Sequence, residues 1–146
     1  MEAGLKQTPG YSGTPLAKKL GLKPGFNIML INAPDHYFRL FTDFPDDVLV
    51  NVDETLKQDV IHFFTREKGE YFNMLPVIKE QIKQNGSIWI SWPKKASKVV
   101  TDVNEDVIRD YALQTGLVDV KVCAVDETWS GLKLVIPVKD RVVKVV

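Results

Sequence analysis

The chain has 146 residues, 45% hydrophobic and 26% charged, a balance that supports one core and leaves little length for a second. Lys plus Arg is 19 and Asp plus Glu is 19, so the formal net charge is zero, which argues against a general nucleic-acid coat or a polybasic membrane anchor and makes nucleic acid an unlikely partner. Cys123 is the only cysteine, which excludes an intrachain disulfide, and its apolar surroundings (residues 120–125) read as those of a small buried hydrophobe.

Residues 1–12 are small and polar, with Pro and Gly, and read as a flexible segment without the apolar stretch of a signal peptide. No run approaches the ~20 apolar residues of a membrane span, so a cytoplasmic protein is expected. Thr14 reads as a helix N-cap with Pro15 at the first helical position. Leu16, Ala17 and Leu20 supply the apolar face, and Gly21 the C-cap. Lys23-Pro24-Gly25 turns the chain into residues 26–31, an apolar run that reads as a central strand buried on both faces. Asn32-Ala33-Pro34-Asp35 ends that strand and opens a short helix, with Asn32 as cap and Asp35 at the capping-box position.

Residues 48–52 are a weak strand candidate and 60–64 a strong one. The clearest helix spans 67–84, with Tyr71, Met74, Leu75, Ile78 and Ile82 on one face, Pro76 interrupting it and Asn85-Gly86 as its stop. Residues 87–91 form the next strand, and 94–100 a loop or edge. Asp102 reads as the cap of a further helix, with Glu105 three residues on and Val107, Ile108, Tyr111 and Ala112 as its stripe; Gly116 ends it. Residues 117–125 and 132–138 read as an antiparallel hairpin, its turn closed by Gly131. In the tail, 139–146, valine alternates with charge, which suits an extended last strand or pairing with another chain. The pattern predicts an α/β fold: a three-layer, Rossmann-like sandwich with a mostly parallel sheet and a C-terminal antiparallel hairpin, in a single domain over 1–146.

Several chemistries are missing from the sequence. The turn after the first strand has no glycine for a dinucleotide pyrophosphate, and there is no Walker A loop or G-x-S-x-G elbow. His36 and His62 have no partner at metal-ligand spacing, and His62, among apolar neighbours, reads as structural. No metal and no cofactor are expected.

In a doubly wound sheet the ligand crevice lies outside the carboxyl ends of the parallel strands. Four segments project there: 32–36, 64–66, 92–95 and 126–129. They nominate Asn32, Asp35, Trp92, Lys94, Lys95, Asp126, Glu127 and Trp129 as ligand-binding residues. The lysines suit phosphate or carboxylate, the tryptophans a planar ligand, and the acids an amine, a hydroxyl or a lysine. The same residues also suit a sheet-end cap with solvated charges. Trp92 and Trp129 each follow a strand end of the same direction, which predicts both rings at one end of the sheet and around one cavity. Lys18, Lys19 and Lys23 complement the first helix's dipole or face an acidic partner or nucleic acid.

Three blocks carry a family likeness: Gly10-Tyr11-Ser12-Gly13-Thr14-Pro15-Leu16-Ala17-Lys18-Lys19-Leu20-Gly21, Ser91-Trp92-Pro93-Lys94-Lys95-Ala96-Ser97, and the stretch 118–132 that contains Val125-Asp126-Glu127-Thr128-Trp129-Ser130-Gly131. On these the chain resembles a small bacterial family of uncharacterised single-domain proteins catalogued as a domain of unknown function, and that resemblance implies no activity. The order of elements from Ile82 to the closing hairpin is similar to the second half of class I methyltransferases. This likeness implies a scaffold that kept the fold and lost the cofactor site, since Asn32-Ala33-Pro34 stands where a glycine-rich loop belongs and only Asp53 or Glu54 is offered as a ribose-binding acid.

Three classes of function stay open on the sequence. The first is a non-catalytic binding or regulatory domain with a polar-aromatic cleft for a small anionic molecule. The second is a small enzyme acting on an anionic or nucleotide-like substrate. The third is a structural protein that acts through oligomerisation, a homodimer through its tail being one form.

Overall fold

A computed structural model describes residues 13–142. Its six strands are Asn27–Ile31 (β1), Leu49–Val50 (β2), Gln58–Phe64 (β3), Ile82–Pro93 (β4), Val118–Ala124 (β5) and Trp129–Val135 (β6). They form one sheet in the spatial order β2-β1-β3-β4-β6-β5. Strands β1 to β4 run parallel, and β6 is antiparallel to both of its neighbours, β4 and β5. With the helices Leu16–Leu20 (α1), Lys68–Lys79 (α2) and Glu105–Gln114 (α3), the architecture is the expected α/β Rossmann-like sandwich.

Successive side chains on a strand point to opposite faces, and both faces of this sheet are covered. Ile61, Phe63, Ile88, Ile90 and Trp92 meet Tyr71, Leu75 and Ile78 of α2 and Ile108 and Ala112 of α3. Val60, Phe64 and Trp89 meet Leu16, Ala17 and Leu20 of α1 and Tyr37, which begins the 3-10 turn Tyr37–Leu40. This double burial is why β3 and β4 read as unbroken apolar runs. Trp89 is fully buried, and its indole Nε1 donates to the Leu20 carbonyl at 2.9 Å, which ties the end of α1 to the sheet.

At two helix starts a distant carboxylate takes the place of a local cap. Thr14 does not cap α1. The N-cap is Pro15, and the Asp43 carboxylate accepts from the amides of Ala17 and Lys18 at 3.0 and 3.1 Å. Gly21 is the left-handed C-cap, at φ 76°. Asp102 does not cap α3; it accepts from the Lys68 amide at 2.8 Å and so caps α2, while Asn104 caps α3 through Val107 N at 2.9 Å.

Helix α2 stops at Lys79, and Ile82 opens β4 instead of closing the helix face. Pro76 does not break α2. It removes the amide that would serve the Phe72 carbonyl, and the Tyr111 hydroxyl donates to that carbonyl at 3.0 Å. The 48–52 run contributes only the two paired residues of β2. Strand β6 starts at Trp129, earlier than expected, so Gly131 lies inside the strand and not in the turn. A Cβ there would sit 3.1 Å from Trp89 Cε3, which is the reason for glycine. After β6 the chain takes a 3-10 turn, Val138–Asp140, so the last strand is not extended. The expected flexible segment 1–12 and the tail end 143–146 lie outside the described residues.

Candidate functional site

The chain leaves β1 for β2 on one side and then crosses to β3 on the other, so the order of strands reverses between β1 and β3. Such a reversal splays the following loops apart and opens a crevice at the carboxyl ends of the two strands. A cleft of about 350 Å³ lies there, lined by Asn32, Phe64, Thr65, Arg66, Glu67, Glu70 and Trp129.

Asn32 directly follows β1 and holds φ +58°, a left-handed conformation that asparagine tolerates better than most residues. Its Nδ2 donates to the Phe64 carbonyl at 3.2 Å and to Glu70 Oε2 at 3.1 Å. The Thr65 hydroxyl donates to Glu70 Oε1 at 2.6 Å. The ends of β1 and β3 thus hold a carboxylate from the first turn of α2 across the crevice. A carboxylate has about four acceptor positions, so each Glu70 oxygen keeps one for a ligand hydroxyl or amine. Asn32 is therefore not the cap of a following helix; the 3-10 turn has no side-chain cap, and Asp35 is exposed with no capping role.

Trp129 forms the opposite wall. It is half-buried and packs edge-on against Phe64, with ring centroids 5.1 Å apart. Asp126 fixes its position: Oδ1 accepts from the amides of Thr128 and Trp129 at 2.8 and 2.7 Å, and Oδ2 pairs with His36 Nε2 at 3.2 Å. Asp126 is thus a positioning residue at the hairpin turn. Replacing it with alanine removes two charge-assisted hydrogen bonds, and a loss of about 1–2 kcal/mol of stability is expected in urea unfolding, with a red-shifted tryptophan emission as Trp129 loosens.

Trp92 and Trp129 do end up at the same end of the sheet, Trp92 opposite Ser130 and Trp129 opposite Pro93 in the β4–β6 pair. A shared cavity is corrected by their faces. Trp92 is 7% exposed and belongs to the core under α2 and α3, whereas Trp129 packs on the α1 side. Lys94 lies beside the hairpin, its amide donating to the Thr128 carbonyl at 2.7 Å, and Lys95 begins the exposed 3-10 turn Lys95–Ser97. Glu127 is exposed at the hairpin tip. Neither lysine lines the crevice. Its charges are instead Arg66, Glu67 and Glu70.

Of the nominated residues, then, the crevice gathers Asn32 and Trp129 directly and Asp126 through Trp129. The sequence reading had no signal for Glu70, which stands on the first turn of a helix where acids commonly complement the dipole.

Beneath the crevice lies a buried polar chain. Tyr37 Oη is 3.0 Å from His62 Nδ1, and His62 Nε2 is 2.7 Å from Ser91 Oγ. The imidazole stacks on Phe64 at 4.2 Å. Burial lowers the His62 pKa to about 3 and pushes the Tyr37 phenol well above its ordinary value. The tyrosine stays protonated and donates to Nδ1, which leaves Nε2–H to donate to the serine; this tautomer satisfies both ring nitrogens. Among the described residues no group of three or more His, Cys, Asp or Glu gathers as a metal site, and no helix is long and apolar enough to cross a membrane.

A family model described as a protein of unknown function, DUF3052, matches residues 17–138. The chain belongs to the DUF3052 family. No curated protein matches it in sequence. Among solved structures, this DUF3052 chain is similar to the precorrin-6y C5,15-methyltransferase of Geobacter metallireducens GS-15, with a TM-score of 0.55 and 9% identity over 82% of this chain and 84% of that one. It is also similar to the ribosomal protein L11 methylase of Lactobacillus delbrueckii subsp. bulgaricus (TM-score 0.52, 9% identity, 80% and 72% covered). A protein of the NADB-Rossmann superfamily from Streptococcus agalactiae gives a TM-score of 0.52 at 10% identity, with 90% and 69% covered. At these identities the likeness is one of fold.

Proposed function

We propose that the protein is a non-catalytic binding domain that holds a nucleoside-like small molecule in the crevice between β1 and β3. The observation that carries this reading is the Glu70 carboxylate, fixed across the switch point by Asn32 and Thr65 and facing a cleft walled by Trp129. A planar ring stacks on the indole, which offers a large apolar surface at little entropic cost. Hydroxyl groups donate to the two open positions on Glu70, where a diol is matched in the way a carboxylate matches any pair of donors. Arg66 at the rim supplies one cation for a carboxylate or phosphate tail. With two carboxylates and one guanidinium, the lining favours hydroxyl and amine donors over a multiply charged anion.

A second reading, methyl transfer, is favoured by the names of the structural neighbours, two of which are methyltransferases. Against it stands the β1 turn. Asn32 spends its side chain on Phe64 and Glu70, where a backbone-only residue would let a cofactor approach.

Calorimetric titration with adenosine, adenosylhomocysteine and adenosylmethionine separates these readings. Binding of adenosine is expected, and Trp129→Ala and Glu70→Gln should each weaken it by about tenfold or more. Affinity for none of the three, or affinity indifferent to both variants, removes the proposal. Consumption of adenosylmethionine by the protein with an acceptor substrate would replace it with the second reading.

A further inference from the structure

Away from the crevice, a lysine cluster lies on the α1 face of the β5–β6 hairpin. Lys121 and Lys133 are direct cross-strand partners. Lys133 in turn stands opposite Trp89, whose ring packs under α1, so both ammonium groups project to that face. Lys23, in the turn after α1, approaches them. Burial and the two neighbouring lysines, Lys121 and Lys23, lower the Lys133 pKa.

Like charges directly opposite on paired strands repel, and a carboxylate between them would relieve the repulsion. Here, among the described residues, none of Lys18, Lys23, Lys121 and Lys133 is paired with a carboxylate. Protection of the sheet edge accounts for Lys121, since β5 is the edge strand. It does not account for Lys133, because β6 is paired on both sides.

The lysines also sit in concave surface. A bowl of about 550 Å³ has Lys23, Lys133 and Arg141 in its wall, with Asn85 and Ser87 as neutral polar groups and Phe26 as an apolar side. Asp59 borders it, but its carboxylate is already held by Lys83 at 2.9 Å and by the Asn27 amide at 2.8 Å. A second concavity beside it is lined by Lys18, Lys19 and Lys121.

We propose that this bowl is a binding site for a small molecule bearing two or more linked phosphate groups, of which inorganic pyrophosphate is the simplest. Its oxygens bridge Lys133 and Lys23 in the bowl and reach Lys121 across the hairpin, replacing the missing carboxylate, while the Arg141 fork accommodates a second phosphoryl group. Lys23, Lys133 and Arg141 share the bowl, with Lys121 opposite Lys133 at the neighbouring concavity, and the chain has no net charge, which favours a compact anion over a nucleic-acid strand. The site is separate from the crevice and does not depend on what binds there.

The test is calorimetric and thermal-unfolding titration of the full chain with pyrophosphate, with sulfate at matched ionic strength as control. Saturable binding of pyrophosphate that raises Tm, with sulfate much weaker, is the expected result. Lys133→Gln and Lys121→Gln should each weaken binding by about tenfold or more and, in the absence of anion, should raise Tm because the repulsion is relieved. Trp129→Ala should bind pyrophosphate as the unaltered chain does. No saturable binding overturns the proposal, as do lysine variants that bind equally well or have a lower Tm without anion. A short single-stranded RNA that binds more tightly than pyrophosphate and displaces it would overturn the assignment to a small molecule.

Discussion

Lowering the pH from about 6.5 to 5 should remove about 1.6 kcal/mol of folding stability through one residue, His62. The native state keeps this imidazole neutral down to about pH 3, because it is fully buried between Tyr37 and Ser91. In the unfolded chain the same ring protonates near its ordinary value of 6.5. Between those two values the unfolded state binds a proton that the native state refuses, so stability falls as pH falls, by up to about 1.4 kcal/mol per pH unit. The upper part of that window lies above the carboxylate range, so the comparison with a His62 variant separates its share from that of the other histidine, His36. Urea unfolding across it should give a falling midpoint with an unchanged slope on denaturant, and His62→Gln should flatten the dependence. An equal pH dependence in the variant would show that the burden lies elsewhere.

Gly86→Ala should destabilise the protein by about 1–3 kcal/mol, while Gly69→Ala should leave it unchanged or more stable by up to ~1 kcal/mol. The two glycines look alike in sequence and differ in surroundings. Gln58 pairs with Ile82 and Val60 with Ser87, so β4 takes five residue steps where β3 takes two. Gly86 folds that excess against its neighbour: an added Cβ would lie 3.0 Å from the carbonyl oxygens of both Gln58 and Asp59 and 3.1 Å from that of Lys83. Those are backbone atoms in a paired strand, and they cannot swing aside. At Gly69, in the first turn of α2, an added Cβ meets nothing within 4 Å. Thermal unfolding of the pair measures the difference, and equal effects at both sites would contradict the bulge geometry.

The same bulge marks the boundary of what the sequence reveals. Periodicity located β1, β3, the core of β4 and the hairpin, because their burial on one or both faces is written in adjacent residues. It put Ile82 on a helix because helical spacing from Tyr71 through Ile78 continues to it by coincidence, and it took Asn85-Gly86 for a stop. Only the pairing of Ile82 with Gln58 corrects this, and that pair is 24 residues apart. Two N-caps were misread for the same reason, whereas the Gly21 C-cap was legible. Asp43 serves α1 and Asp102 serves α2 across the fold, where a local rule looks only one turn away. In the crevice, Asn32 and Trp129 were legible as residues that follow strand ends. Glu70 was not, since nothing local distinguishes it from any acid at a helix start. Lys94 and Lys95 stood out as a charged pair, but the cross-strand opposition of Lys121 and Lys133 needs a register that sequence does not print.

The binding crevice is tested most directly by the indole Nε1–H signals of the three tryptophans during titration with adenosine. Trp89 donates to the Leu20 carbonyl in the core and Trp92 is buried under α2 and α3, so only Trp129 borders the crevice. A saturable shift of the Trp129 signal alone, lost in Glu70→Gln, is expected. A Trp129 signal that stays fixed at saturating adenosine, or equal movement of all three, would contradict the proposed binding.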